Sequence, residues 1–178
     1  MMKRNLSIFI SSFLILIVLV GRYLADYAAF KNGVRLLLPV WIESVESNAF
    51  SSLARIRYYN FIPIEELVQE KGTIVVERFN NGQVAFAAKS VGQRLRPREV
   101  RLKYTITPSS LASSQFQGPN IHFASSELRF FNQKSLTLSD YYAVVYVNDD
   151  GEAFLAGITD HDGTQLIKGL AFSAFHIY

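Results

Sequence analysis

Residues 100–106 read Val-Arg-Leu-Lys-Tyr-Thr-Ile, and this stretch is the clearest indication of the fold class. Apolar and polar side chains alternate at every position. This is the period of a β-strand with one face in a protein core and the other in water. An amphipathic helix would need apolar residues at a spacing near 3.6. The stretch therefore predicts a half-buried strand.

The same two-residue period occurs in a second segment nearer the N-terminus. Leu53–Tyr58 alternates small or apolar residues with arginines. This pattern predicts a second strand, with Ala54, Ile56 and Tyr58 on the buried face.

Proline punctuates two further segments. Residues 34–40 predict a strand that is broken by Pro39, because proline lacks the N–H that a strand ladder needs. Pro63–Gln69 is the one segment typical of a helix, since its proline and glutamates suit a first helical turn.

Two turn motifs predict β-hairpins. They are Asn80–Gly82 and Asn148–Gly151, and Asn-Gly and Asp-Gly are the strongest short hairpin signals. Each motif lies between two short apolar segments, found at residues 73–79, 84–88, 143–147 and 153–158.

Short strands and tight turns without a repeating βαβ unit define the fold class. With further candidates at residues 121–124 and 128–131, about eight strands are expected. We predict an all-β domain with minor α content at residues 31–178, either an antiparallel β-sandwich or a small barrel. One N-terminal transmembrane helix precedes it.

The expected transmembrane helix is an uncharged run from Asn5 to Gly21, preceded by Lys3 and Arg4. As a helix it would span roughly 25 Å of a hydrocarbon core that is about 30 Å thick. Continuation to residue 25 or beyond covers the remainder if Arg22 reaches the headgroups. We therefore predict a membrane anchor at residues 1–30, with the helix at about 5–25.

Cleavage as a signal peptide is the alternative interpretation of this segment. A cut after Ala28 or Ala29 would place Asp26 or Tyr27 at a position that requires a small residue. We therefore expect the anchor to be retained. The short N-terminal tail favours a signal-anchor that leaves the C-terminal domain outside.

Charge and cysteine content exclude several classes of function. The formal net charge of +3 comes from the anchor region, and acids and bases balance from Gly33 onward, so nucleic-acid binding is not expected. The chain has no cysteine, which excludes disulfides, thiolate nucleophiles and cysteine-ligated metals. No motif calls for a cofactor.

Several landmarks together resemble the GDYXXLXY family of small bacterial membrane-anchored proteins. The signature falls on residues 51–58, where Ile56 and Tyr58 match it and Ser51, Ser52 and Leu53 replace its Gly-Asp-Tyr. Other similar segments are residues 33–40, 121–123, 129–131, 143–147, 150–153 and 155–158. The resemblance implies a single-pass protein of a Gram-negative inner membrane with its domain in the periplasm. It implies no particular activity.

A charge asymmetry inside the neutral domain indicates a contact surface. A basic stretch surrounds the single acid Glu99 and contains Lys89, Arg94, Arg96, Arg98, Arg101 and Lys103. Residues 135–167 carry no base and six acids, namely Asp140, Asp149, Asp150, Glu152, Asp160 and Asp162. One interpretation is two solvated faces. The other is that the basic stretch contacts anionic headgroups or an acidic partner.

Catalytic and metal-binding motifs are weak. Ser51 and Ser52, with Lys71 and Lys89 downstream, leave a divergent membrane-bound serine hydrolase or peptidase as an alternative function. Asp160-His161-Asp162 is more typical of a turn than of a metal site, so no metal is expected.

The apolar C-terminus leaves one further alternative open. Leu166–Tyr178 ends in an aromatic residue, which would suit a small outer-membrane β-barrel. The predicted strands are mostly shorter than the nine to eleven residues that a barrel strand needs.

The weak catalytic motifs, the expected anchor and the family resemblance together predict a non-enzymatic accessory or regulatory module. It would be anchored to lipid by its helix and act with a membrane-protein partner.

Overall fold

The computed structural model describes residues 13–18, 20–21, 32–63, 69–88, 94–107, 120–131 and 136–169. The chain divides into two compact units, Met1–Asn32 and Gly33–Tyr178. In the first unit, residues 13–18 and 20–21 are helical. Most of the expected anchor at residues 1–30 lies outside the described residues. Within the part of the chain that is described, no helix is both long and apolar enough to cross a membrane.

The described residues of the second unit form ten β-strands, which we number in chain order. They are β1 Val34–Ser47, β2 Ser51–Tyr58, β3 Lys71–Arg78, β4 Val84–Ala88, β5 Glu99–Thr107, β6 Asn120–His122, β7 Glu127–Phe131, β8 Asp140–Val147, β9 Ala153–Thr159 and β10 Gln165–Lys168. The prediction of an all-β domain is confirmed.

The strands form two antiparallel sheets. The larger has six strands in the order β10-β9-β8-β1-β2-β7, and the smaller has four in the order β4-β3-β5-β6. Strand β1 is central to the larger sheet, because it pairs with β8 along its first half and with β2 along its second. Strands that are adjacent in sequence form the hairpins, whereas β1 and β8 pair although they are far apart in the sequence.

Alternate side chains of both sheets point into one shared core. Strand β1 contributes Leu36, Leu38, Val40 and Ile42 to this core, and every one of them is fully buried. Opposing residues from the smaller sheet include Ile74, Val76, Leu102, Tyr104 and Ile121. In β5 the residues between these positions, Arg101 and Lys103, stay partly or fully exposed. The alternation of residues 100–106 therefore has the predicted effect.

Both predicted hairpins are confirmed. The Asn80–Gly82 turn joins β3 to β4, and the Asn148–Gly151 turn joins β8 to β9. Gly82 and Gly151 have φ values of 89° and 82°, which only glycine adopts without strain.

The predicted break at Pro39 is wrong, because β1 continues through it to Ser47. The carbonyl of Pro39 accepts a hydrogen bond from the N–H of Tyr59, just beyond the end of β2. In an extended strand the nitrogen and the carbonyl of one residue point to the same side. The proline nitrogen therefore faces the place where β2 has ended and no ladder partner requires an N–H.

Backbone hydrogen bonds also join the margins of the two sheets. The N–H of Leu37 donates to the carbonyl of Gly82 over 2.8 Å, and the N–H of Lys103 donates to the carbonyl of Gly151 over 2.8 Å. Each hairpin turn therefore docks onto a strand of the other sheet. This arrangement positions the charged residues that lie near the turns.

Two predicted segments lie largely outside the described residues. They are the helical segment Pro63–Gln69, of which residues 64–68 are not described, and the C-terminal apolar stretch Leu166–Tyr178, of which residues 170–178 are not described. The described part of that stretch includes the end of β10, which pairs with β9 as the last strand of the larger sheet.

Candidate functional site

The basic stretch divides into two groups in space. Arg94, Arg96 and Arg98 lie in an exposed segment immediately before β5, and Lys89 lies outside the described residues. The carboxylate of Glu99 accepts the backbone N–H of Arg96 over 2.8 Å, which shapes the turn that presents these arginines.

The second group, Arg101 and Lys103, lies against acidic residues of the larger sheet. The ammonium of Lys103 is 3.2 Å from the carboxylate of Glu152. The backbone of Arg101 lies close to Gly151, within the turn that contains Asp149 and Asp150. We call residues 148–152 the acidic turn. Lys103 and Glu152, which are far apart in sequence, therefore form an ion pair, and the backbone of Arg101 lies beside the acidic turn.

The first group is extended by two arginines that the sequence pattern did not connect with it. The N–H of Arg78, at the end of β3, donates to the carbonyl of Arg98 over 2.9 Å. The β3–β4 turn that follows Arg78 approaches Arg35 near the start of β1. We call Arg35, Arg78, Arg94, Arg96 and Arg98 the basic rim.

The basic rim lies at one particular end of the domain. A Cβ atom on Gly82 would be 3.4 Å from Leu37 and 3.6 Å from the guanidinium of Arg35, so the β3–β4 turn lies next to the first residues of β1. Phe79, which begins this turn, is 45% exposed. The β3–β4 turn, with Phe79, therefore lies near Arg35 at the start of β1, and the acidic turn lies at the same end because Val34 pairs with Val147.

A second candidate is a polar cleft of about 90 Å³ between β2 and β6. The guanidinium of Arg57 binds the carboxylate of Glu43 over 2.6 Å, and the Arg57 side chain is only 13% exposed. His122 Nε2 lies 2.9 Å from the hydroxyl of Thr107. Asn120 completes the polar lining on the β6 side.

The pKa of His122 is lowered in this cleft. Burial disfavours the imidazolium, and the nearby positive charge of Arg57 lowers the pKa further, while Glu43 acts in the opposite direction. The imidazole is therefore biased towards its neutral form, which both donates and accepts hydrogen bonds. His122 also lines a wider depression of about 340 Å³ beside Lys103 and Phe154. The sequence pattern does not connect His122 with Arg57 and Glu43, because they are far from it along the chain.

The serines of the hydrolase alternative lie at the start of β2. Ser52 is 2% exposed, and its hydroxyl is 2.8 Å from that of Ser47. The N–H of Ser51 donates to the side chain of Asn48 over 2.8 Å as part of the β1–β2 turn. Lys71 begins β3 in the other sheet, where it pairs with Thr105.

The other residues aligned with the GDYXXLXY signature, Leu53, Ile56 and Tyr58, also lie on β2. Ile56 and Tyr58 are buried in the core, and Leu53 is half-buried on the opposite face of β2. The Tyr58 hydroxyl donates to the carbonyl of Ser125 over 2.9 Å, and its ring packs edge-on against Phe123. Burial raises the pKa of Tyr58 far above its ordinary value. Tyr58 therefore holds the end of β2 against the segment between β6 and β7.

The Asp160–Asp162 motif forms the turn between β9 and β10. One carboxylate oxygen of Asp160 accepts the N–H groups of Asp162 and Thr164. The ring of His161 packs edge-on against Tyr142. Among the residues that the structure describes, no three His, Asp or Glu side chains come together as metal ligands.

An exposed aromatic pair occupies the end of the domain opposite to the basic rim. The Asn48 side chain accepts the N–H groups of Phe50 and Ser51, and this tight turn leaves Phe50 84% exposed. Phe131 pairs with Ser51 and is 55% exposed. We call Phe50 and Phe131 the aromatic tip. Large exposed aromatic side chains at a rigid turn are typical of protein contacts.

The fold and these surfaces define a class of protein: an antiparallel β-domain of two sheets that presents a basic rim at one end and an aromatic tip at the other. Comparison with family models, with curated proteins and with solved structures finds no match in any of the three. The resemblance to the GDYXXLXY family therefore stays a prediction.

Proposed function

We propose that this protein is a membrane-anchored extracytoplasmic domain that acts as a non-enzymatic accessory or regulatory module with a membrane-protein partner. One observation carries the proposal. The helical residues 13–18 and 20 are all apolar, and each of their side chains is between 47% and 66% exposed. A helix that is apolar on every side needs an apolar environment around it.

Contact between this apolar surface and water is unfavourable. Covering one large apolar side chain contributes roughly 1.5–3 kcal/mol, so seven of them strongly favour insertion into lipid. The uncharged run continues to Asn5 in the sequence. A bilayer accommodates a helix of this kind, with Lys3, Arg4 and Arg22 at its ends.

The resemblance to the GDYXXLXY family supports the proposed location. That family implies an inner-membrane anchor and a domain on the periplasmic side.

The aromatic tip supports the proposal of a protein partner. Phe50 and Phe131 are held in place by the β1–β2 turn and by the pairing of β2 with β7. Rigid aromatic side chains lose little conformational entropy on binding and contribute much of the binding energy of interfaces.

Membrane retention can be tested with the full-length protein in its native host. We expect it to remain in the membrane fraction after washing with alkaline carbonate and to retain residues 5–21 in its mature form. A mature protein that begins after residue 21, or that is released by the wash, would contradict the proposal.

Partnership can be tested by photo-crosslinking in the native membrane. A photoreactive phenylalanine at position 50 is expected to capture one defined membrane protein. The same group at Asp162, which is exposed in the β9–β10 turn, serves as the control. Phe131→Ser should reduce capture from position 50. Capture that is equal at both positions, or insensitive to Phe131→Ser, would argue against binding at the tip.

A further inference from the structure

We propose that the two depressions lined by His122 together form a binding site for a neutral ligand that carries several hydroxyl groups, of the saccharide class. One is the narrow polar cleft between β2 and β6, and the other is the wider depression beside Lys103 and Phe154. Neither the membrane anchor nor the aromatic tip is needed for such a site, so it is a property of the β-domain itself.

The charged residues that line the narrow cleft are paired with one another. The guanidinium of Arg57 binds the carboxylate of Glu43 over 2.6 Å, and that of Arg55 lies 3.7 Å from the carboxylate of Glu127. Two bases therefore face two acids. The lining carries no net charge, and it gives no preference to a cation or an anion.

The lining of the wider depression is balanced in the same way. Lys103 and Glu152 line it, and their side chains form an ion pair of 3.2 Å. Asp149 and Asp150 belong to the same acidic turn but are not among the residues that line the depression. An ionic ligand would have to disrupt an existing pair at either place, whereas a neutral ligand would leave the pairs intact.

Neutral polar groups of the narrow cleft remain for a ligand. The amide of Asn120 and the hydroxyl of Ser126 have no hydrogen-bond partner among the residues that the structure describes. In His122, Nε2 lies 2.9 Å from the Thr107 hydroxyl, and within the same described part of the chain Nδ1 has no partner. These groups include both donors and acceptors. A sugar hydroxyl complements them, because it can donate and accept at once.

The wider depression supplies the volume and an apolar wall. Its volume of about 340 Å³ is within the range of small-molecule sites, roughly 300–1,000 Å³, whereas the narrow cleft of about 90 Å³ admits only a substituent. Phe154 is half-buried in its lining. An aromatic ring can cover the apolar C–H face of a sugar while the hydroxyl groups bind to polar side chains.

Histidine-selective nitrogen-15 labelling of the full-length protein allows a direct test, in a detergent without a sugar headgroup. The chain has three histidines, and the His122 signal is identified by its loss in His122→Gln. We expect maltotriose or N,N′,N″-triacetylchitotriose to shift the His122 signals in a saturable way. The signals of His161, in the β9–β10 turn, should not move. Which of the two sugars binds more tightly distinguishes a glucose polymer from an N-acetylglucosamine polymer.

Two further probes test the class of ligand. Trigalacturonic acid carries carboxylates and should bind roughly tenfold more weakly than the better neutral sugar, because it has to disrupt an ion pair. Acetyl-trialanine amide is neutral but has no hydroxyl group, and it should not shift His122. Equal or tighter binding of either probe would overturn the inference. The absence of a His122 shift with both neutral sugars would overturn it as well.

A matched pair of serines provides the control. Ser126 and Ser139 are both half-buried, and their carbonyls accept the N–H groups of the core residues Ile56 and Ile42 over 2.9 and 3.2 Å. Only Ser126 lines the cleft. Ser126→Ala should weaken sugar binding about fivefold, the effect of one hydrogen bond, and Ser139→Ala should leave it unchanged. Equal effects of the two substitutions on the dissociation constant would contradict the proposed site.

Discussion

Tyr58 combines a buried ring with a hydroxyl that bridges to the neighbouring chain segment. The hydroxyl donates its hydrogen to the carbonyl of Ser125. Tyr58→Phe should lower the free energy of unfolding by about 1 kcal/mol, because the carbonyl loses its partner in a partly buried site. Urea denaturation measures this change. Tyr141→Phe removes an exposed hydroxyl that contacts Thr137 and is the control, with little expected change. Equal effects would contradict this role of Tyr58.

Gly151 is required both for its backbone conformation and for the space it leaves. It has a φ of 82°, and a Cβ atom would lie 3.3–3.4 Å from the backbone and Cβ of Arg101. Gly163 has a φ of 80°, but a Cβ atom there would have no neighbour within 4 Å. Gly163→Ala therefore measures the conformational cost alone, about 1 kcal/mol.

Gly151→Ala should be more destabilising, by about 2–3 kcal/mol in total, because the acidic turn must also move away from β5. Thermal or urea denaturation of both variants checks the difference. The amide hydrogen of Lys103, which binds the carbonyl of Gly151, should exchange faster in the Gly151 variant only. Equal destabilisation by the two substitutions would show that the contact with Arg101 does not contribute to the loss of stability.

The lowered pKa of His122 predicts a pH dependence of stability. The folded protein disfavours the imidazolium, so the unfolded chain binds more protons near its ordinary pKa of about 6.5. Stability should therefore rise with pH through this region and decrease below it. We expect His122→Gln to reduce this slope in urea denaturation between roughly pH 7.5 and pH 5. A slope as steep as that of the parent protein would contradict the assignment to His122.

At the scale of the elements, the pairing of β3 with β5 depends on a glycine opposite a tyrosine. Gly72 faces Tyr104, and a Cβ atom on residue 72 would lie 2.6–2.8 Å from the tyrosine ring and hydroxyl. Tyr104 is 4% exposed, so the ring has little freedom to move. Glycine is thus needed here for close packing and not for an unusual φ.

Gly72→Ala should destabilise the protein by about 1–3 kcal/mol through overpacking. In a Tyr104→Leu background the ring is absent, and the same substitution should be neutral or slightly stabilising, because alanine suits a strand better than glycine. A double-mutant cycle from urea denaturation measures the coupling. Additive effects would show that the ring does not restrict residue 72.

At the scale of the whole molecule, the core belongs to the second compact unit. All described residues of the core cluster lie at Val34 or beyond. A chain of residues 33–178 should therefore unfold cooperatively, with the same urea midpoint as the full-length protein in detergent. Circular dichroism measures both. A truncated chain without a cooperative transition would show that the first unit contributes to the fold.

The charge distribution also has to be understood for the whole molecule. In sequence, one basic and one acidic region are separated by more than thirty residues. The β8–β9 turn docks on β5, where Glu152 pairs with Lys103, and the β3–β4 turn docks on β1 near Arg35, while a backbone hydrogen bond joins Arg78 to Arg98. The net charge of a surface region therefore depends more on which strands are adjacent in the fold than on which residues are adjacent in the sequence.

The fold class, the strands around Leu102 and Ile56 and the turns at Gly82 and Gly151 were predictable from the amino-acid sequence. These features arise from local causes, namely the two-residue period of a strand and the conformational freedom of glycine. Three features were not predictable in this way: Pro39 is tolerated within β1, His122 lies beside Arg57, and Arg35 and Arg78 lie on the same rim as Arg98. Each of these depends on pairings between segments distant in the chain, and alternation specifies which face of a strand is buried without specifying its neighbour.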